Sequence, residues 1–363
     1  MSKKYKYQKY FTYDDHRYVV RADTQEDLAV KEYKKRQELE GKVKTVDREM
    51  FVRDWIDEWL VTYKEPTVAA ETYNGYVSII RKHIKPNIGA MKMKAVKPLH
   101  CQRILNKMSA DKMATSTIEL CAILLNEIFR EAEDNYLVLK NPAHRLRVPE
   151  GTKCNSRALT EYEEAMCLML ADEHPFGIII KVMFYCGLRI GEACALRWSD
   201  VDLEKNIIHV QHTVKRLSGH IGKTKTPASV RDVPIPANFA AELKEIQGPS
   251  DTFLYRTNKR DHANTYDMNR AWYSFKNDLN ILMGCDADEK GNAIEPYRVA
   301  DDLRPHYFRH TYCTHLQDAG VPINIARQFM GHTSITTTSK IYTHATDTSF
   351  ESARNMIDNF SQT

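Results

Sequence analysis

Residues 185–198 read YCGLRIGEACALRW, a largely apolar run that contains a charged pair. The run predicts part of one helix over 174–197, with Glu192 three positions after Arg189 and therefore one turn away. A purely structural interpretation is an ion pair that stabilises a helix. However, a guanidinium among apolar residues has to be paired or to face a ligand. Oriented by Glu192, Arg189 has the planar donor geometry that holds two phosphate oxygens.

Three stretches further along the chain contain other reactive side chains. They are KTKTP at 223–227, HYFRHT at 306–311 and GHTSITTTSKIYTH at 331–344. The candidate residues in them are Lys223, Lys225, His306, Arg309, His332 and Tyr342. Each signal alone is weak, because hairpin lysines are usually solvated, a lone histidine is more often structural, and the chain has 19 tyrosines.

Taken together, these side chains suit the transesterification of a phosphodiester without a metal or other cofactor. Arginines neutralise the non-bridging oxygens as charge builds up in the transition state. A lysine can protonate a leaving 5′ hydroxyl, and a histidine can take the proton of a tyrosine. The tyrosine attacks phosphorus, and the covalent intermediate conserves the bond energy for rejoining. The sequence contains no P-loop pattern and no carboxylate cluster of the two-metal type, so we expect no cofactor.

Composition sets broad limits on the class of protein. The 363 residues are 42% hydrophobic and 28% charged, which predicts two or three folded domains. No apolar run is long enough for a membrane span, and no secretory signal opens the sequence. The eight cysteines form no Cys-x-x-Cys pair, so we expect reduced thiols in a cytoplasmic protein. A net charge of +4 is by itself weak support for a nucleic-acid partner.

Residue patterns predict a mainly α protein with small β-sheets, of the α+β class. Residues 1–45 are expected to form strands and a helix, and basic and aromatic residues alternate near their start. A flexible N-terminal tail is the alternative, but this alternation favours a β-face that contacts DNA. Its predicted contacts are Lys4, Lys6 and Lys9.

The remainder divides into a helical domain at 46–145, a basic linker at 146–159 and a larger domain at 160–363. About four helices are expected in the first of these, with breaks at 65–66, 85–87 and 141–142. Linkers are often charged only for solubility, although a basic one can also follow a DNA backbone. Predicted DNA contacts in this part of the chain are Lys82, Lys85, Arg145 and Arg147, with Lys223 from the later hairpin.

The four motifs, in this order and at about this spacing, resemble those of the tyrosine recombinase family. The resemblance covers 160–363, which is similar to the family's catalytic domain. More weakly, the helical region resembles the SAM-like core-binding domain. The first 45 residues resemble the ββα-type arm-binding domain of integrases from temperate phages and conjugative transposons.

The resemblance implies a role for each motif residue. Arg189 and Arg309 would bind the scissile phosphate, His306 would assist proton transfer, and His332 would hydrogen-bond the phosphate. Lys225 would be the general acid, with Lys223 as its rival because the register of the turn is uncertain by about two residues. Glu192 would orient its neighbours, and Tyr342 would form a 3′-phosphotyrosyl bond.

The resemblance also implies partners. These are double-stranded DNA at core and arm sites, a homo-tetramer that passes through a Holliday junction, an excision factor and a host DNA-bending protein. An amphipathic pattern over 348–360 predicts a last helix that docks on a neighbouring protomer or on its own domain. Two alternative functions stay open at this point: DNA relaxation of the type IB topoisomerase kind, and a DNA-binding regulator on the same fold.

Overall fold

A computed structural model of the chain describes residues 6–13, 16–43, 50–152, 157–224, 227–257, 260–342 and 354, without the side chains of 37–43, 227, 337 and 340–342. The chain divides into two compact units, Met1–Cys154 and Asn155–Thr363. Among the described helices, none combines the length and the apolar composition needed to cross a lipid bilayer.

The first unit opens with a ββα element, as the sequence predicted. Strands β1 (Tyr7–Tyr13) and β2 (His16–Ala22) pair antiparallel, and helix α1 (Gln25–Val43) follows. The hydroxyl of Thr24 accepts a hydrogen bond from the Asp27 N–H at 3.1 Å and so caps the helix. Phe11 and Val20 are the buried residues of a small core to which Leu28 of the helix contributes.

The rest of this unit is helical. It contains α2 (Val52–Trp59), α3 (Ala70–Ile79), α4 (Lys85–Ile88), α5 (Pro98–Ala110) and α6 (Thr115–Asp134). π-Helical turns at Leu60–Lys64 and Ile80–Ile84 extend α2 and α3. The break expected at 85–87 is wrong, because the second π-turn leads directly into α4. Pro86 lies in the first turn of that helix, where it removes one N–H donor from the continuous helical run.

Residues of the predicted linker are held by side chains of the helical unit. The Gln102 amide exchanges two hydrogen bonds with the backbone of Arg147, at 2.7 and 2.9 Å. Ser109 donates to the Glu150 carbonyl at 2.5 Å. On the other side of the boundary, Leu159 N–H donates to Thr311 Oγ1 of the second unit at 2.9 Å. The predicted linker therefore contains residues that belong to each unit, and the unit boundary falls within it.

The second unit consists of helices around two small antiparallel sheets. Its strands are β3 (Val201–Asp202), β4 (Ile207–Val210), β5 (His212–Val214), β6 (Ile221–Lys223) and β7 (Arg231–Pro234). One sheet has the order β3-β4-β7, and β5 pairs with β6 in the other. The helices are α7 (Glu161–Glu173), α8 (Gly177–Cys186), α9 (Ile190–Ala193), α10 (Ala237–Glu245), α11 (Thr265–Leu282), α12 (His306–Asp318), α13 (Ile323–Met330) and α14 (Ile335–Tyr342).

Helix α8 lies at the centre of this unit and packs against α7 and α12. The single helix expected over 174–197 is wrong, because α8 ends at Cys186. Gly187 adopts a left-handed conformation with φ +63°, and a Cβ atom there would lie 2.1 Å from the ring of Tyr312. Arg189 therefore stands in a break between two helices, at the N-cap of α9. The last predicted helix, over 348–360, lies outside the described residues, apart from a single helical position at 354.

Candidate active site

A buried carboxylate organises the site. Glu192 is 2% exposed and accepts hydrogen bonds from the Arg189 backbone N–H at 3.0 Å and from Arg189 Nη1 at 2.8 Å. Arg231 Nη2 of β7 donates to the same carboxylate at 2.9 Å. Burial alone would raise the pKa of Glu192, but the hydrogen bond and charge of Arg231, with the charges of Arg189 and Arg309, lower it to about 2. Glu192 is therefore ionised at neutral pH.

Arg309 is fully buried, and neutral groups hold it in place. Its Nη1 donates to the Gly187 carbonyl at 2.5 Å, and its Nη2 donates to the Met330 carbonyl. Burial and the nearby charge of Arg189 lower its pKa to about 9, against the opposing effect of Glu192. An arginine that is costly to bury and is fixed by carbonyl groups suits an incoming anion.

Three arginines from separate parts of the chain converge on the junction between α13 and α14. Arg231 Nε donates to the Phe329 carbonyl at 2.6 Å, and Arg309 donates to the next carbonyl along. Arg189 Nη2 donates to the Gly331 carbonyl at 3.2 Å. Consecutive peptide groups thus fix the guanidinium groups relative to one another. Arg231 was missed by the sequence analysis, although it lies two residues before Val233 and therefore on the same buried face of β7.

The described part of this cluster has an excess of positive charge. No described group of three or more acidic, histidine or cysteine side chains has the geometry of a metal site. Three arginines surround one carboxylate. Two positive charges are therefore uncompensated. This excess is complementary to a phosphodiester, whose negative charge increases as a nucleophile adds to phosphorus.

Two histidines flank the arginines. His306 begins α12 and remains open to solvent, yet partial desolvation and the charges of His310, Arg309 and Arg189 lower its pKa to about 4. His332 follows Gly331, is partly buried, and has its pKa lowered to about 3, first by burial and then by Arg309 and Arg189. Both imidazoles are therefore neutral at pH 7 and able to accept or share a proton.

The remaining candidates of the reaction are placed only in part. Tyr342 is the last residue of α14, and its side chain is not among the described ones. Lys225 also lies outside them. Lys223 ends β6 with an exposed side chain, and its carbonyl accepts a hydrogen bond from Lys215 Nζ at 2.8 Å. The structure thus brings together five of the predicted residues: Arg189, Glu192, His306, Arg309 and His332.

The structure describes two of the three predicted DNA contacts within the first 45 residues. Lys4 lies outside the described residues, and Lys6 is exposed. Lys9 shares the helix-facing side of the sheet with Phe11 and pairs with Glu32 of α1 at 2.7 Å. The opposite face presents exposed Arg17 and Arg21, which the sequence analysis did not select.

The other predicted contacts are mostly at the surface. Lys82 is exposed in the π-turn after α3, whereas half-buried Lys85 pairs with Asp57 at 2.5 Å. Arg145 and Arg147 are both exposed. Their positions leave them accessible to a polyanion, but a role in binding stays a prediction.

Comparison with known protein families settles the family of the chain. The model of the "Phage integrase family" matches residues 158–349, and that of the "Phage integrase, N-terminal SAM-like domain" matches residues 51–109. The chain belongs to the phage integrase family. Membership makes it a tyrosine-type site-specific recombinase, and the relatives reported next do not favour the topoisomerase and regulator alternatives.

Individual relatives agree with this assignment. A XerC-like tyrosine recombinase of Caldanaerobacter subterraneus is 27% identical, over 80% of this chain and 78% of its own length. The Tn1549 transposon integrase, solved in complex with a circular intermediate DNA, has a TM-score of 0.68 at 22% identity and covers 85% of this chain and 99% of its own. Lambda integrase, solved as a tetramer on a Holliday junction, has a TM-score of 0.58 at 15% identity, over 89% and 91%. The two structures establish the similarity of fold.

Proposed function

We propose that this family member cuts and rejoins duplex DNA at specific sites through a 3′-phosphotyrosyl intermediate formed by Tyr342. The observation that supports this most directly is the arginine cluster, in which three guanidinium groups surround a single buried carboxylate. Such a cluster is costly in the free protein and becomes favourable when a phosphodiester enters.

In the proposed reaction, Arg189 and Arg309 hold the two non-bridging oxygens of the scissile phosphate. The oxygen of Tyr342 forms a bond to phosphorus, and the bond from phosphorus to the 5′ oxygen breaks. Arg189 and Arg309 stabilise the additional negative charge of the pentacovalent transition state. Rejoining is the reverse: a 5′ hydroxyl attacks the phosphotyrosine and releases the tyrosine.

Proton transfer in this scheme involves the neutral histidines. With its pKa lowered to about 4, His306 is unprotonated at pH 7 and takes the proton of Tyr342. His332 donates a hydrogen bond to a non-bridging oxygen. Lys225 protonates the leaving 5′ oxygen, and Lys223 is the alternative donor.

The wider partners belong to the same proposal. Residues 1–45 would bind arm sites through the exposed face that carries Arg17 and Arg21. The helical domain at 46–145 would bind core sites. The linker at 146–159 would connect it to the catalytic domain at 160–363. Support for a homo-tetramer that passes through a Holliday junction comes from the assembly described for lambda integrase. We further propose that the chain integrates and excises a mobile element in the bacterial cytoplasm, with an excision factor and a host DNA-bending protein as its accessory partners.

A nicked suicide duplex tests the nucleophile. The DNA carries the end sequence of the element that encodes the chain, and a denaturing gel detects a covalent adduct. We expect the adduct with wild type and with the control Tyr273→Phe, which alters a tyrosine that is 71% exposed on α11. Tyr342→Phe should give none. An adduct that persists in Tyr342→Phe would assign the attack to another residue, and its absence from all three proteins, despite DNA binding, would contradict the proposed activity.

A further inference from the structure

We propose that Thr338 is a positioning residue that sets the orientation and tautomer of His332. Thr338 lies in α14 and is 0% exposed. Its Oγ1 is 2.9 Å from Nδ1 of His332, well within hydrogen-bond distance. The inference rests on the proposed function, because it gives the phosphate contact of His332 a structural cause.

The protonation state of His332 makes this hydrogen bond informative. Burial, with the charges of Arg309 and Arg189, lowers the pKa of His332 to about 3, so the ring is neutral at pH 7. A neutral imidazole has one donor and one acceptor nitrogen, and the partner of one nitrogen determines what the other can do. When Thr338 donates to Nδ1, the proton is on Nε2, which then donates to a phosphate oxygen.

The surroundings of Thr338 favour this assignment. A buried hydroxyl requires a hydrogen-bond partner, and the partner that the structure gives Thr338 is the His332 ring. Thr336, two residues earlier in the same helix, shows the contrast. It is exposed, and its hydroxyl pairs with that of Ser334. The run of threonines therefore contains one member that contacts the site and one that does not.

The position of Thr338 in α14 adds a second consequence. Tyr342 lies one helical turn further along the same helix. His332 is thus correctly oriented only when the helix that carries the nucleophile is seated against it. One hydroxyl thereby couples the placement of α14 to the phosphate-binding state of His332.

Thr338→Val removes the hydroxyl at nearly constant shape, Thr338→Ser retains it, and Thr336→Val is the matched control. Single-turnover cleavage of the suicide duplex should fall about tenfold in Thr338→Val, the rate equivalent of one hydrogen bond. Thr338→Ser and Thr336→Val should remain within about twofold of wild type, since neither change removes the hydrogen bond. Thermal melting of Thr338→Val separates this effect from loss of the fold.

A double-mutant cycle tests whether Thr338 acts through His332. In a His332→Gln background, Thr338→Val should cause no further loss, because the group that it positions has already been removed. An equal loss in both backgrounds would overturn the inference, and so would wild-type cleavage by Thr338→Val. In either case the adduct still forms with wild type, so the proposed function stands.

A spectroscopic readout does not depend on cleavage. With ¹⁵N-labelled histidine, the ring nitrogens of His332 should report a single Nε2–H tautomer in wild type and in Thr338→Ser. Thr338→Val should show a mixture of tautomers. Identical ring spectra in wild type and Thr338→Val would reject the positioning role, even if no adduct formed with any protein.

Discussion

Replacement of Glu192 by glutamine should destabilise the second unit strongly, because it removes the one carboxylate among three arginines. The pKa of Glu192 is lowered from 4.5 to about 2. At about 1.4 kcal/mol per pH unit, this shift corresponds to roughly 3 kcal/mol of preference for the charged carboxylate in the folded state. Breaking a buried pair by removing one partner typically costs about 3–5 kcal/mol, so the two figures are compatible.

The size of the effect on melting follows from the length of the unit. For a domain of about 200 residues, each kcal/mol lowers Tm by about 2–4 °C, so Glu192→Gln should lower it by about 6–12 °C at pH 7. The matched control is Glu242→Gln, whose carboxylate pairs with Lys181 at 2.5 Å but is 43% exposed. A pair of that kind is worth at most about 1 kcal/mol, so the control should shift Tm by no more than about 4 °C.

Differential scanning calorimetry on wild type and both variants measures this difference. The carboxylate contribution is fully present above the pKa of an unfolded glutamate, about 4.5, and is lost as the pH falls towards 2. The difference in Tm between wild type and Glu192→Gln should therefore decrease as the pH falls through this range. Sulfate should recover more of the Tm in Glu192→Gln than in wild type, because the excess of positive charge has increased. A melting temperature equal to that of Glu242→Gln would refute the role of Glu192 as the counter-charge of the cluster.

Three further outcomes are expected. Gly187→Ala should lower the free energy of unfolding by at least about 1–2 kcal/mol, because a left-handed residue gains a Cβ atom that would lie 2.1 Å from the Tyr312 ring. Chemical denaturation measures this loss, and a variant as stable as wild type would contradict the predicted strain. Because the pKa of His332 is lowered to about 3 in the folded chain, only the unfolded chain takes up its proton between pH 6.5 and 4.5. Stability should therefore decrease as the pH falls through that range, with a shallower slope in His332→Gln, and equal slopes in the two melting series would count against the shift. Arg17→Ala should weaken DNA binding and reduce its salt slope by about 1, whereas Lys9→Ala should leave the slope unchanged; the reverse order in a salt titration would favour the helix-facing side of the sheet.

Motif spacing was sufficient to predict which residues meet at the centre of the site. Arg189 stood out as a charge in an apolar run, whereas Arg309 and His332 were weak signals singly and were selected by the order and spacing of the four motifs. Arg231 and Thr338 did not stand out. Arg231 resembles an ordinary strand residue until β7 is known to bury every second side chain, and Thr338 is one of three consecutive threonines.

Local sequence patterns predicted less well where a residue lies relative to a sheet and where a helix ends. Lys9 was grouped with Lys6 by composition, but Lys9 lies within β1 on its helix-facing side and pairs with Glu32, whereas Lys6 precedes the strand. The apolar run around Arg189 suggested one long helix, since periodicity does not register a single left-handed residue. Gly187 was the available signal for that break. The fold class was nevertheless predicted correctly, because it depends on many residues at once.

The three carbonyls at the end of α13 have a consequence for how substrate enters. The C-terminal end of a helix carries the negative pole of its macrodipole, so Arg309 is preorganised by oriented peptide groups and by the Gly187 carbonyl. An incoming phosphodiester therefore has no carboxylate to displace from Arg309. Phosphate binding by Arg309 therefore breaks no hydrogen-bonded ion pair of this arginine, whereas Arg189 meets the phosphate while paired with Glu192.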